Sequence, residues 1–267
     1  MKKYIPLFIK VNARRWQWIF KNYRKINQHA EIINHSHFGG PITYDTDSIT
    51  TSNNSDFVNE PRFVKAYAAA LQTKNGVRMS LQWRTYILCW LADHVKNLEG
   101  DFVECGVDTG AYSRAVVEYI GFKNLNKKFY LMDTYEGLVA GLVTEEELEA
   151  GISQYMDNYK SKNLYERVKD TFKEFNVEVI KGIIPGTLPL CKAEKICYLS
   201  IDMNCVAPEI AAAEYFWDKI VPGGAVILDD YGFPAHILQK KAFDEFAREK
   251  NISILSLPTG QGIIVKK

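Results

Sequence analysis

Past Gly100 the chain alternates short apolar runs with longer amphipathic stretches. The runs at Phe102–Cys105, Phe129–Met132, Val177–Ile180, Ile196–Ile201 and Ala225–Leu228 have the length of strands buried on both faces, and a pair at Ile252–Leu255 and Gly262–Val265 ends the series. Helical spacing begins at Ala111 and returns across 145–175, at 207–219 and near 236–249. This alternation predicts an α/β fold: a doubly wound, mostly parallel seven-stranded sheet with helices on both faces and a closing hairpin-like strand pair. Ahead of it, residues 61–73 and 80–96 read as two helices. The first puts Phe63, Tyr67, Ala70 and Leu71 on one face, and the second does so with Trp83, Ile87, Trp90 and Leu91.

Between about Asn34 and Asn59 the chain turns to Ser, Thr, Asn, Asp and Gly, which favour turns over regular structure. That predicts a linker or covering loop and divides the chain into an N-terminal segment plus linker, residues 1–60, and a folded domain with leading helices, residues 61–267. Composition narrows the class. With 267 residues, 47% of them apolar, the chain can bury a large core, which excludes a disordered or collagen-like protein. No run approaches the ~18 apolar residues of a membrane span, and a secretory leader is missing from the start, so a cytoplasmic protein is expected. Five cysteines without a C-x-x-C pair fit reduced thiols better than a disulfide framework or a zinc site.

Net charge is +1, but residues 1–30 hold eight basic side chains and no acid, which leaves 25 basic against 32 acidic residues in the remainder. Interleaved aromatics make that segment a candidate for peripheral contact with an anionic membrane surface, for docking on the acidic body or for a homo-oligomer interface. The basic excess lies outside any nucleic-acid-reading motif, so no nucleic-acid partner is expected.

In doubly wound sheets ligands bind beyond the carboxyl ends of the strands, where strand order reverses. The first strand runs into Glu104-Cys105-Gly106-Val107-Asp108-Thr109-Gly110, in which Gly106 and Gly110 allow a tight turn and the next helix offers free N–H groups. It is not the dinucleotide G-x-G-x-x-G, which disfavours a nicotinamide oxidoreductase. The second strand ends at Asp133-Thr134, where an acid can accept two hydroxyls of a ribose or cap the next segment. Asp202 follows the Ile196–Ile201 run, and Asp229 and Asp230 follow Ala225–Leu228. Two carboxylates about 5 Å apart repel by roughly 3 kcal/mol at an effective dielectric of about 20, so such a cluster needs a cation or a proton. Oxygen-only ligands point to Mg2+.

In this order and spacing, Glu104-Cys105-Gly106-Val107, Asp133-Thr134-Tyr135-Glu136-Gly137, Ile201-Asp202 and Pro222-Gly223-Gly224 leading to Asp229-Asp230-Tyr231 resemble the macrocin O-methyltransferase family, over roughly residues 80–267. The resemblance implies a Rossmann-like methyltransferase fold and S-adenosylmethionine as cofactor. It puts Gly106, Val107, Gly110, Tyr112 and Ser113 around the methionine part, Glu104 at its amino group, Asp133 and Thr134 at the ribose, and Gly182 and Ile183 at the adenine. Asp202 would border the cofactor and, with Asp229 and Asp230, hold Mg2+. Two departures stand out: Ala111-Tyr112 replaces the family's second glycine, so that Tyr112 covers the cofactor or points away, and Asn204-Cys205 replaces an acid and an aromatic after Asp202.

The expected chemistry is methyl transfer to a hydroxyl of a small-molecule acceptor, a sugar first and a catechol-like phenol second. Asp202 or His236 serves as base. The stretch between Gly137 and Tyr165, acidic and aromatic, reads as a lid over the acceptor or as a solvated helix face. Gln261, in a tight turn near the end, either reaches the acceptor or merely shapes a hairpin. A metal-independent methyltransferase, and a membrane- or partner-binding protein with a degenerate site, stay open.

Overall fold

The structure, a computed structural model, describes residues 42–74, 79–155 and 161–267, without the side chains of Gln154 and Tyr155. The membrane or partner contact expected of residues 1–30 lies outside the described residues. Tyr44–Thr50 and Asn54–Lys267 form one compact unit. The described chain begins with a hairpin, β1 (Tyr44–Thr46) and β2 (Ile49–Thr51), and two helices, α1 (Pro61–Thr73) and α2 (Gln82–Val95). Then come β3 (Asp101–Cys105), α3 (Ala111–Tyr119), β4 (Phe129–Asp133), α4 (Glu145–Ala150), α5 (Leu164–Phe172) and β5 (Val177–Lys181). The chain continues through β6 (Ile196–Ile201), α6 (Val206–Trp217), β7 (Ile220–Leu228), α7 (Ile237–Glu249), β8 (Leu255–Ser256) and β9 (Gly262–Val265).

The seven strands lie in the order β5-β4-β3-β6-β7-β9-β8, parallel from β5 to β7, with β9 antiparallel to both of its neighbours. This is the doubly wound sheet that the alternation predicts. Strand order reverses between β3 and β6, so their carboxyl ends open a crevice. Successive residues of a strand face opposite layers. Phe102 packs with Phe129 and Tyr198 in the core under α1, α2 and α3, whereas Val103 packs with Tyr130 and Leu199 in the core under α6 and α7. With both faces covered, the central strands are largely apolar, Glu104 in β3 and Ser200 in β6 being the buried polar exceptions. Among the described residues no helix is long and apolar enough to cross a membrane, and the five cysteines are buried and free.

Three local expectations are corrected. The polar stretch before residue 60 is not wholly irregular: Asp47 and Ser48 take left-handed φ values of 56° and 60°, which lets a two-residue turn join β1 to β2. The buried face of α2 consists of Arg84, Thr85, Leu88, Cys89, Leu91, Ala92 and Val95, while Trp90 is 51% exposed. Small residues let α2 approach the sheet; Trp83 packs instead against Tyr44, Phe57 and Tyr86, and Trp90 stacks on His94. At the carboxyl end β8 starts at Leu255, because Ile252 and Ile254 pack into the α6–α7 core outside the ladder.

Gly106 fixes the turn out of β3. Its φ is +86°, and a Cβ there would lie 1.8 Å from the carbonyl oxygen of Asp202. Gly106→Ala is therefore expected to destabilise the fold by about 3 kcal/mol or more. Urea unfolding measures this, and a loss under about 1 kcal/mol would contradict the close approach of the β3 and β6 ends.

Candidate active site

A cleft of about 250 Å³ lies over the ends of β3, β4, β6 and β7. Gly106, Val107, Tyr112, Asp133 and Thr134 line one side, with Gly182 and Ile183 beside them, and Asp202, Asp229 and Asp230 line the other end. The structure thus brings together most of the residues singled out in the sequence. Four stand back from the wall: Glu104, Gly110, Ser113 and His236.

Glu104 and Ser113 are buried, and the Ser113 hydroxyl donates to Glu104 Oε2. Burial pushes the Glu104 carboxyl up to about 8, opposed by the Ser113 hydrogen bond and reinforced by Asp133, Asp229 and Asp108. Gly110 serves packing, since a Cβ there would meet the Phe172 ring at 2.7 Å. Asp133 is more than a strand-end acid awaiting hydroxyls. Its Oδ2 accepts the N–H groups of Val107 at 2.6 Å and Asp108 at 2.9 Å, and its Oδ1 accepts Tyr135 N–H at 2.7 Å. It therefore ties the glycine loop to the end of β4.

One oxygen from each of Asp202, Asp229 and Asp230 lies within 4.8 Å of the others. Burial first, then Asp229 and Asp230, push the Asp202 carboxyl well above the usual carboxylate range. Asp230 is also raised by burial, with His236 pulling against the shift. Its Oδ2 is buried and makes no hydrogen bond, an arrangement that costs free energy unless a cation or proton serves it. Three oxygen donors with one orphaned atom suit a hard divalent cation.

The charge that lets these acids coexist comes from Arg84, a residue that carries no motif in the sequence. It is 7% exposed, lies 4.3 Å from the centre of the Phe233 ring, and donates Nη1–H to Asp229 Oδ2 at 2.8 Å. Nη2 donates to the Asp229 carbonyl at 3.2 Å and lies 3.7 Å from Asp230 Oδ1. The hairpin turn joins this network, for Asp47 accepts the Arg84 backbone N–H at 2.9 Å and lies 3.7 Å from its Nε. Gln261 does not face the cleft; its Nε2 donates to Asp229 Oδ1 at 2.9 Å. The one readable signal for Arg84 is a cation among the small and apolar positions of α2.

Two further buried acids brace the loop after β6. Glu147 accepts Val206 N–H at 2.7 Å through Oε1, while its Oε2 accepts Thr144 N–H at 2.8 Å, so the segment expected as a lid is fastened to the start of α6. Glu209 accepts Met203 N–H at 2.9 Å. Asn204, one of the departures after Asp202, donates to Asp202 Oδ1 at 3.3 Å. His236, expected as a base, is 3% exposed with Nδ1 3.7 Å from Asp230 Oδ2, behind the acid rather than on the cleft wall.

Comparison with known proteins adds a lineage to this geometry. A sequence profile of the macrocin-O-methyltransferase family, TylF, matches residues 86–255. A curated relative, the 8-demethyl-8-(2,3-dimethoxy-alpha-L-rhamnosyl)-tetracenomycin-C 4'-O-methyltransferase of Streptomyces olivaceus, is 26% identical over 153 residues, 54% of this chain and 57% of that protein. The match therefore spans just over half of that relative's length. Among solved structures, the O-methyltransferase NovP superposes with a TM-score of 0.59 at 19% identity, covering 71% of this chain and 82% of NovP. The calicheamicin methyltransferase CalS11 gives a TM-score of 0.58 at 13% identity, covering 85% of this chain and 98% of CalS11. At these identities the superpositions establish the fold.

Replacing the arginine tests its part in the cluster. Arg84→Met leaves buried carboxylates without their counter-charge and is expected to destabilise the protein by about 3 kcal/mol or more. Because Arg84 holds the Asp202 and Asp230 carboxyls down, its loss raises them further above their unfolded values. An acid raised on folding loses stability as pH rises towards its folded pKa, so the deficit is larger near about pH 8 than near about pH 5. Urea unfolding at the two pH values checks this; a deficit that does not grow with pH would contradict it.

Proposed function

The chain belongs to the macrocin O-methyltransferase family, and from that premise we propose that it is an S-adenosylmethionine-dependent, Mg2+-assisted O-methyltransferase acting on a hydroxyl of a sugar-containing small molecule. The observation that carries the reading is the convergence of the glycine loop and the strand-end acids on one cleft at the switch point of the sheet. The sugar acceptor is supported by the rhamnosyl substrate in the curated relative's name.

When bound, S-adenosylmethionine would supply the methyl group for an acceptor oxygen that gives up its proton, and Mg2+ would polarise that hydroxyl. The chain's own residues do the rest. Glu104, buried beside the glycine loop, would face the cofactor's ammonium, and ionising for that contact would offset its burial. Asp133 keeps the Val107 and Asp108 amides in place. Gly182 and Ile183 would border the adenine. Asp202, Asp229 and Asp230 would hold the cation, and Asp202 would take the acceptor's proton. His236 stands behind Asp230 and would act through it. Residues 61–267 would form the catalytic domain, with the hairpin at 44–51 supplying Asp47 to it.

One observation favours a second reading: Arg84 already neutralises Asp229, which suits transfer without a metal ion. Calorimetry with S-adenosylhomocysteine, followed by turnover of an O-glycoside panel with Mg2+ and with a chelator, separates the two. Micromolar binding is expected, weakened at least about tenfold in Glu104→Gln by loss of one charge-assisted bond. Turnover abolished by the chelator supports Mg2+ assistance, and turnover insensitive to it supports the metal-free reading. No binding of S-adenosylhomocysteine by the folded protein would overturn both.

A further inference from the structure

Behind the acid cluster, three buried side chains link the loops that carry the aspartates. Glu209 on α6 is 3% exposed, and its Oε1 accepts both the N–H of Met203, next to Asp202, and Gln239 Nε2 at 2.8 Å. Gln239 on α7 is 2% exposed and meets His236 Nδ1 through its Oε1. His236 in turn stands against Asp230. The chemistry of the middle member sets the direction of the chain of bonds. Glu209 Oε1 already acts as an acceptor, so Gln239 turns its amide NH2 towards it and its carbonyl oxygen towards the ring. His236 must then carry its hydrogen on Nδ1.

Such a chain is costly to bury; burial and the neighbouring Asp230 push the Glu209 carboxyl up to about 8. An apolar contact between α6 and α7 would hold the helices together without that cost. What the polar chain adds is a defined separation between the end of β6, through Met203, and the loop after β7, through His236.

Resting on the reading of Asp202 and Asp230 as cation ligands, we propose that Glu209 and Gln239 are positioning residues, which act through Met203 and His236 to set the spacing of those two aspartates and to hold His236 with its hydrogen on Nδ1. Neither residue lines the cleft, so both work at one remove, as outer partners of metal ligands do.

The test compares the full-length wild type with Glu209→Gln, Glu209→Ala and Gln239→Leu. Two quantities are read: Mn2+ affinity from electron paramagnetic resonance of the free ion, and the His236 tautomer of the metal-free protein from imidazole nitrogen-15 spectra. Glu209→Gln keeps a carbonyl oxygen towards Met203 and Gln239 and is expected to bind Mn2+ within about threefold of wild type, with the Nδ1–H tautomer retained. Glu209→Ala and Gln239→Leu are expected to weaken Mn2+ at least about tenfold and to give mixed His236 tautomers. The proposal is overturned if Glu209→Gln weakens Mn2+ as much as Glu209→Ala, since charge rather than position would then be at work. It is also overturned if Glu209→Ala and Gln239→Leu leave both quantities unchanged. Should Glu209→Ala fail to fold, Gln239→Leu, which removes no charge, decides the matter. A wild type that binds no Mn2+ defeats the cation reading separately; the tautomer then decides, and its being unchanged in Gln239→Leu overturns the positioning role.

Discussion

Carboxylates gathered at the ends of two adjacent strands repel one another, and in this protein a buried arginine lets them coexist. Arg84 engages Asp229 directly and stands near Asp230 and Asp47. One guanidinium thereby ties α2 and the β1–β2 hairpin to the carboxyl end of the sheet. The constraint explains why α2 turns a face of small residues with one cation towards the sheet and leaves its tryptophans to pack elsewhere. It also leaves an excess of negative charge and one orphaned carboxylate oxygen in the cleft, the conditions under which a divalent cation or a proton binds.

Around that centre the polar side chains hold loops in place. Asp133 clasps the glycine loop through two amides, Glu147 fastens α4 to the start of α6, and Gln261 braces Asp229 from the final turn. Each uses an acceptor or donor of fixed direction to settle backbone that regular structure does not define. These bonds hold the loops around the cleft to one another and to the ends of the strands.

The fold is legible in the sequence because most of its strands are short, largely apolar runs and its site residues fall at their ends, where a change to Gly or Asp is conspicuous. Gly106, Asp202, Asp229 and Asp230 can be read in that way. Arg84 cannot: its partner Asp229 lies 145 residues away, and in sequence it is one charge inside a helix. Aromatic residues mislead in α2, because size suggests burial while close helix–sheet contact requires Thr85, Leu88 and Ala92. The Asp47-Ser48 turn is hidden in a polar stretch whose composition alone suggests a loop. His236 draws notice for its proximity in sequence to Asp230, yet only the folded chain reveals Gln239 and Glu209 behind it.

The proposed methyl transfer to a metal-polarised hydroxyl requires the cofactor-binding residues and the acid cluster to form one site. Nuclear magnetic resonance of S-adenosylhomocysteine bound to the protein, titrated with Mn2+, tests this most directly. Broadening of the bound ligand's resonances by the paramagnetic ion, abolished in Asp230→Asn, is the predicted result. Resonances that stay sharp while Mn2+ is demonstrably bound would mean that the ion lies elsewhere and would contradict the shared site.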